Sequence, residues 1–259
     1  EWTRGDDGAA GKTWNPIVGC TIVSPGCTNC YAMRMADRIN RMTPERHYDG
    51  LTKVVNGNPV WTGKIAKAPP HIFTAPLHWR KPARIFVNSM SDLFHESVPT
   101  GLISYVFDIM EKANHHTYQI LTKRSDSMAK YLSNRYGHDM APSHIWLGVS
   151  VENQSTDFRI SDLRSAHAAV KFLSLEPLLG PLPDLNLDGI DWVIVGGESG
   201  PSARPMNPDW ARDIRDQCLS AGAPFFFKQH GGANKKAAGR ELDGRTWDEM
   251  PQMKEGFKQ

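Results

Sequence analysis

Cys20, Cys27 and Cys30 lie within eleven residues in GCTIVSPGCTNCYAMRMADR (19–38), spaced by six residues and then two, with the aromatic Tyr31 next. Clustered thiols in an intracellular chain are metal ligands more often than a disulfide framework. Three chemistries fit. A structural zinc takes four ligands, usually in pairs; no second Cys-x-x-Cys or His pair has suitable spacing, but His47 could complete a Cys3His set. A redox Cys27-x-x-Cys30 would leave Cys20 idle. An iron–sulfur cube held by three thiolates keeps one iron open for a substrate or cofactor, and this reading ranks ahead of zinc. Cys218, far away in WARDIRDQCLSAGA, reads as a small buried residue of a helix.

The rest of the chain must position that loop. Six apolar, β-branched or aromatic runs recur at 83–94, 116–126, 144–154, 170–180, 191–201 and 224–232, and a seventh strand is expected near the cysteine loop. Between them, helical stretches are expected at 101–114, 125–137, 155–168 and 207–223, the last punctuated by Asn207, Pro208 and Gly222. Alternating strands and helices predict an α/β fold, a partial or nearly closed (β/α) barrel of about six parallel units. Such a sheet puts its working residues at the carboxyl ends of its strands. That rule selects Ser89, Asp92 and His95; Lys123 and Arg124; Ser150, Glu152 and Asn153; Glu176; Glu198; and Lys228 with His230. Glu198, Lys228 and His230 are the candidate catalytic side chains.

One barrel domain is expected over 1–232, with an irregular excursion at 40–82 containing one strand at PVWTGKI, and a polar extension at 233–259 with a small hairpin. The length suits one α/β barrel, which takes about 200–250 residues. A formal charge of +2 permits a nucleic-acid partner without requiring one. Arg34, Arg38 and Arg41 share one face of MRMADRINRM with Asp37 interleaved, which reads either as a phosphate-binding face or as a solvated one. No apolar run reaches the roughly 18 residues that span a bilayer, and the start lacks a signal-peptide pattern, so the expectation is a cytoplasmic protein without a membrane partner.

The segments TWNPIVGCTIVSPGCTNCYA, RIFVNSMSDLFHESVP, LTKR, WLGVSVEN, LSLEPLLGPL and WVIVGGESGPSARPM, in that order over about 13–232, resemble a phage-associated three-Cys-motif family usually described as radical-SAM-like. The usual superfamily motif is Cys-x3-Cys-x2-Cys with an aromatic before the last cysteine. Here six residues separate the first pair, Asn29 precedes Cys30 and Tyr31 follows it. The order NSMSDLF, LTKR, GVSVEN, EP is also similar to spore photoproduct lyase.

The resemblance implies a 4Fe–4S cluster on Cys20, Cys27 and Cys30, with S-adenosylmethionine bound through Ser89, Asp92, Lys123, Ser150, Glu152, Asn153 and Glu176. Of these, Lys123 would meet the cofactor's carboxylate. The activity implied is reductive formation of a 5′-deoxyadenosyl radical acting on a nucleobase, such as a modified thymine in phage DNA. It would be an isomerase, a lyase or a DNA-modifying enzyme, served by a flavodoxin or ferredoxin in the host cytoplasm. Two alternatives are an iron–sulfur or zinc module that binds nucleic acid without radical chemistry, and a radical enzyme acting on a free small molecule. Gly196 and Gly197 are expected to let a ligand approach the backbone, and Arg204 to meet a phosphate or carboxylate.

Overall fold

The computed structural model describes residues 3–4, 10–42 and 47–251. Residues 43–46 of the expected excursion and 252–259 of the expected extension lie outside them. Seven strands form one parallel sheet in strict chain order: β1 Lys12–Trp14, β2 Arg84–Val87, β3 Thr117–Thr122, β4 Ala141–Ser150, β5 Ala168–Leu175, β6 Trp192–Gly196 and β7 Phe225–Gln229. Sequential parallel order means that every connection crosses over in the same sense, so the sheet curls into a half-barrel. All six runs form strands, and the seventh is β1, just ahead of the cysteine loop.

The longer helices are α1 Tyr31–Met42, α2 Thr100–Lys112, α3 Ser125–Tyr136, α4 Phe158–Ser165 and α5 Pro208–Ala221. On α2, Ile103, Val106, Phe107 and Met110 repeat at helical spacing and are buried. On α5, Asn207 accepts a hydrogen bond from the Asp209 amide, and Gly222 closes the helix in the left-handed region at φ 68°. The stretch expected as one helix at 155–168 divides into a tight turn at Gln154–Thr156 and α4, because Asn153 and Thr156 cap each other's backbone.

Strand alternation gives the sheet two different faces. Tyr118, Ile120, Leu147, Val149, Leu173, Val193 and Phe227 pack against the helices in the main core, which also buries Cys218. Residues one position away, Phe86, Leu121, Trp146, Phe172, Trp192 and Phe226, form a second cluster on the concave face. Burying side chains of this size stabilises the fold by about 1.5–3 kcal/mol each.

The excursion is more ordered than its Pro and Gly content suggests. Thr52–Val55 and Asn58–Trp61 form a hairpin around Asn56 and Gly57, both at positive φ, as a two-residue turn requires. Its Trp61 packs with Met33 and Ala36 of α1, and Cys20 and Cys30 lie against this cluster. The expected C-terminal hairpin is present at Glu241–Leu242 and Arg245–Thr246, and Leu242 and Trp247 join the main core.

Candidate functional site

A cavity of about 1050 Å³ opens at the carboxyl ends of the strands. Cys20, Cys27 and Cys30 all line it, and none forms a disulfide. Burial pushes the Cys20 thiol up to about 12, assisted by Asp92 and opposed by Arg124, and burial also raises the Cys30 thiol. Metal binding at these positions would therefore release protons.

The cysteine loop is tied at three points to the ends of four strands. At its start, Thr21 Oγ1 accepts from Arg124 Nη2 at 2.5 Å and lies 3.1 Å from His95 Nε2. Because His95 Nδ1 accepts from the Ser97 amide, Nε2 carries the proton in this neutral ring. At its middle, Ser24 Oγ donates to Glu152 Oε1 at 2.7 Å, and Gly26 sits so close that a Cβ would come within 2.5 Å of that carboxylate. At its end, Asn29 donates to Glu198 Oε2 at 2.9 Å, while Arg204 bridges Glu198 to the carbonyl of Pro25. The six residues between Cys20 and Cys27 thus give the loop the reach to cross the mouth from β2 and β3 to β4 and β6.

Behind the Cys20 end lies a saturated charge network. Arg124 Nη1 is 3.1 Å from Asp92 Oδ2 and 3.9 Å from Cys20 Sγ, and its Nε reaches Glu96 at 2.7 Å. Asp92 also accepts from Thr122 Oγ1 and from the amides of Lys123 and Phe94. Fully buried Glu152 pairs with Lys123 and with Arg159, the latter at 3.1 Å. Burial alone would raise Glu152, but Lys123, Ser24 and Arg159 hold it below the usual carboxylate range. Glu198 is held low against the same burial penalty by Arg204 and Asn29.

The opposite wall is simpler. Lys228 Nζ lies 3.1 Å from both Glu176 carboxylate oxygens, and Ser174 Oγ reaches Oε2 at 3.3 Å. Ser150 and Ser174 are register partners on β4 and β5, and both line the cavity.

The expected site residues therefore divide. Ser89, Asp92, Lys123, Ser150, Glu176, Glu198 and Lys228 share the cavity with the three cysteines. Glu152 lies behind its wall, Asn153 caps the Gln154–Thr156 turn, and His230, which is not among the cavity-lining residues, donates from Nε2 to the Glu241 carbonyl at 2.7 Å. Because a carbonyl oxygen only accepts, that His230 nitrogen carries the proton. A Cβ on Gly196 would meet Glu176 at 2.4 Å and one on Gly197 the His230 carbonyl at 2.0 Å, so both glycines make room for the protein's own groups, and Gly197 also lines the cavity. Arg204 does meet a carboxylate, that of Glu198.

Thr21, Ser24, Asn29 and Arg159 are anchoring positions that sequence reasoning did not select. Their signal was a run of short polar side chains between the cysteines, together with an arginine beside an apolar segment.

A Cys3His zinc site needs four donors about 2.0–2.3 Å from one point. Among the described residues, no three or more His, Cys, Asp or Glu side chains gather in that way. A cube distributes its thiolates over separate irons, and three cysteine thiols lining one cavity are donors of the type it takes. Lys123 and Ser150 place a cation and a hydroxyl on the same cavity. No helix among the described residues is long and apolar enough to cross a membrane. No curated protein and no solved structure is significantly similar to the chain. A family described as proteins of unknown function (DUF5131) matches residues 8–251, and the chain belongs to that family.

Proposed function

We propose that the protein is a radical S-adenosylmethionine-type enzyme that acts on a nucleobase. The observation that carries this reading is the placement of three thiols from one loop on a cavity of about 1050 Å³ at the carboxyl ends of a parallel half-barrel. Ligand sites usually occupy about 300–1,000 Å³, so this volume suits a cofactor and a substrate side by side. Cys20, Cys27 and Cys30 would hold a 4Fe–4S cluster, which, with S-adenosylmethionine, supplies one-electron reductive cleavage to a hydrogen-abstracting radical.

The chain's own residues orient and enclose. Thr21, Ser24 and Asn29 fix the loop at its three anchors. Lys123, though paired with Glu152, keeps 18% of its side chain exposed and is the cation available to a cofactor carboxylate. Glu176 and Lys228 face the cavity as an acceptor and donor pair for a substrate. Phe86, Leu121 and Tyr31 give that substrate apolar and aromatic walls, which supports a flat heterocycle. Electrons would come from a flavodoxin- or ferredoxin-type protein.

The test is anaerobic reconstitution, iron and sulfide analysis, and 5′-deoxyadenosine measurement with dithionite. Equal iron and sulfide with 5′-deoxyadenosine formation is expected. Iron-loaded protein that makes none contradicts the radical reading, and one zinc per chain without iron contradicts the cluster.

A further inference from the structure

The open edge of the cavity carries groups that the networks above do not use. Tyr31 and Met35, one turn apart on α1, are 54% and 42% exposed, and Val23 of the cysteine loop is 45% exposed. All three line the cavity, as does Arg34 between them. Arg38 continues the same side of α1 one turn further on. Among the described residues neither Arg34 nor Arg38 has an ion pair, whereas Arg41 is paired with Asp37. The Tyr31 hydroxyl donates to the Ser89 carbonyl at 3.1 Å, which sets the ring's orientation while half of it stays open.

An exposed ring in a fixed orientation, the Arg34 guanidinium and an apolar interior walled by Phe86 and Leu121 line one cavity, and Arg38, also without an ion pair among the described residues, follows one turn further along α1. A single nucleic-acid strand matches it: bases stack on aromatic rings and guanidinium groups hold phosphates. A protein partner would be met by a broader apolar face with fewer unpaired charges at its centre. A free nucleotide would leave Arg38, a turn beyond the lining residues, without a phosphate to hold.

We propose that α1 and Val23 form the docking edge for a single nucleic-acid strand, held at its phosphates by Arg34 and Arg38, with one base turned past Tyr31 into the cavity. This rests on the reading of the cavity as a nucleobase site. Docking itself needs neither iron nor S-adenosylmethionine, so the two ideas fail separately.

The experiment is fluorescence anisotropy of the full chain with a labelled single-stranded oligonucleotide over a range of salt. Binding should weaken as salt rises. The double variant Arg34→Ala/Arg38→Ala should bind at least about tenfold more weakly and lose about 1.4 from the log–log salt slope, two contacts at about 0.7 each. Arg34→Lys/Arg38→Lys should keep the slope, and Tyr31→Ala should weaken binding about tenfold without changing it. All three substituted positions are at least partly exposed, and an unchanged thermal midpoint checks that each variant is folded.

No strand binding at low salt, or an unchanged slope in the double alanine variant, overturns the proposal. So does equal affinity for a mononucleotide and the strand, or loss of flavodoxin binding with strand binding intact. 5′-Deoxyadenosine formed by protein that binds no strand overturns docking alone; strand binding without 5′-deoxyadenosine overturns the radical reading alone.

Discussion

The two walls of the cavity differ in how much of their polar chemistry is already used. On the Cys20 side, Arg124 and Asp92 keep only 8% of their side-chain surface each and Glu152 none, and their oxygens and guanidinium groups are bonded within the protein. Across the cavity, Lys228 and Glu176 keep 28% and 14% and pair with each other. Saturated groups hold a loop in place, whereas groups with exposed surface can exchange partners with a ligand. The first wall therefore holds the loop, and the second keeps surface that a ligand could contact.

The largest effect should come from the loop that the first wall holds. Cys20→Ala, Cys27→Ala and Cys30→Ala should each abolish cluster assembly, measured as iron and sulfide per chain. Cys218→Ala, in the core of α5, should leave assembly intact. Loss of the cluster in Cys218→Ala would break the three-thiol account.

Next come the charges behind the loop. Arg124→Met leaves Asp92 without its cation, and Glu152→Ala leaves Lys123 and Arg159 without their anion. Removing one member of a buried pair costs about 3–5 kcal/mol, so each variant should unfold at clearly lower urea. Losses below about 1 kcal/mol would show that this wall is not a structural clamp.

A pH series sharpens the same contrast. Glu152 and Glu198 are held below the ordinary carboxylate range in the folded state, and Glu96, beside Arg124, is pulled down to about 2 against the effect of its burial. Carboxyls with depressed folded values stabilise the fold above their unfolded values and lose that contribution as pH falls through the folded ones. Urea midpoints should therefore drop from about pH 4.5 toward about pH 2, and less steeply in Glu152→Gln.

The smallest change in stability belongs to the second wall. Glu176→Gln should alter stability by under about 1 kcal/mol, as expected for a partly exposed pair. Its substrate-dependent consumption of S-adenosylmethionine should nevertheless fall at least tenfold. The opposite pattern, a large loss of stability with normal turnover, would reverse the assignment of the walls.

The strands were legible because their apolar runs alternate with amphipathic stretches, and β3 shows why: Tyr118 and Ile120 face the helices while Gln119 and Leu121 face the opposite side. The cavity groups were legible as the polar residues that follow each run. What stayed hidden depends on long-range pairing: nothing near Ser24 in the chain points to Glu152, 128 residues away, nor near Asn29 to Glu198, 169 away. The order inside the excursion was masked by its Pro and Gly content, although Asn56-Gly57 was a readable turn. The glycines at 196 and 197 show that a missing side chain does not say by itself whether a ligand or the protein's own groups take the space.

The central claim is that three thiolates hold a cluster with one iron open to S-adenosylmethionine. Electron paramagnetic resonance of the dithionite-reduced, reconstituted protein tests it directly. The account predicts a reduced 4Fe–4S signal whose g-values shift when S-adenosylmethionine is added; a signal that the cofactor leaves unchanged would contradict it.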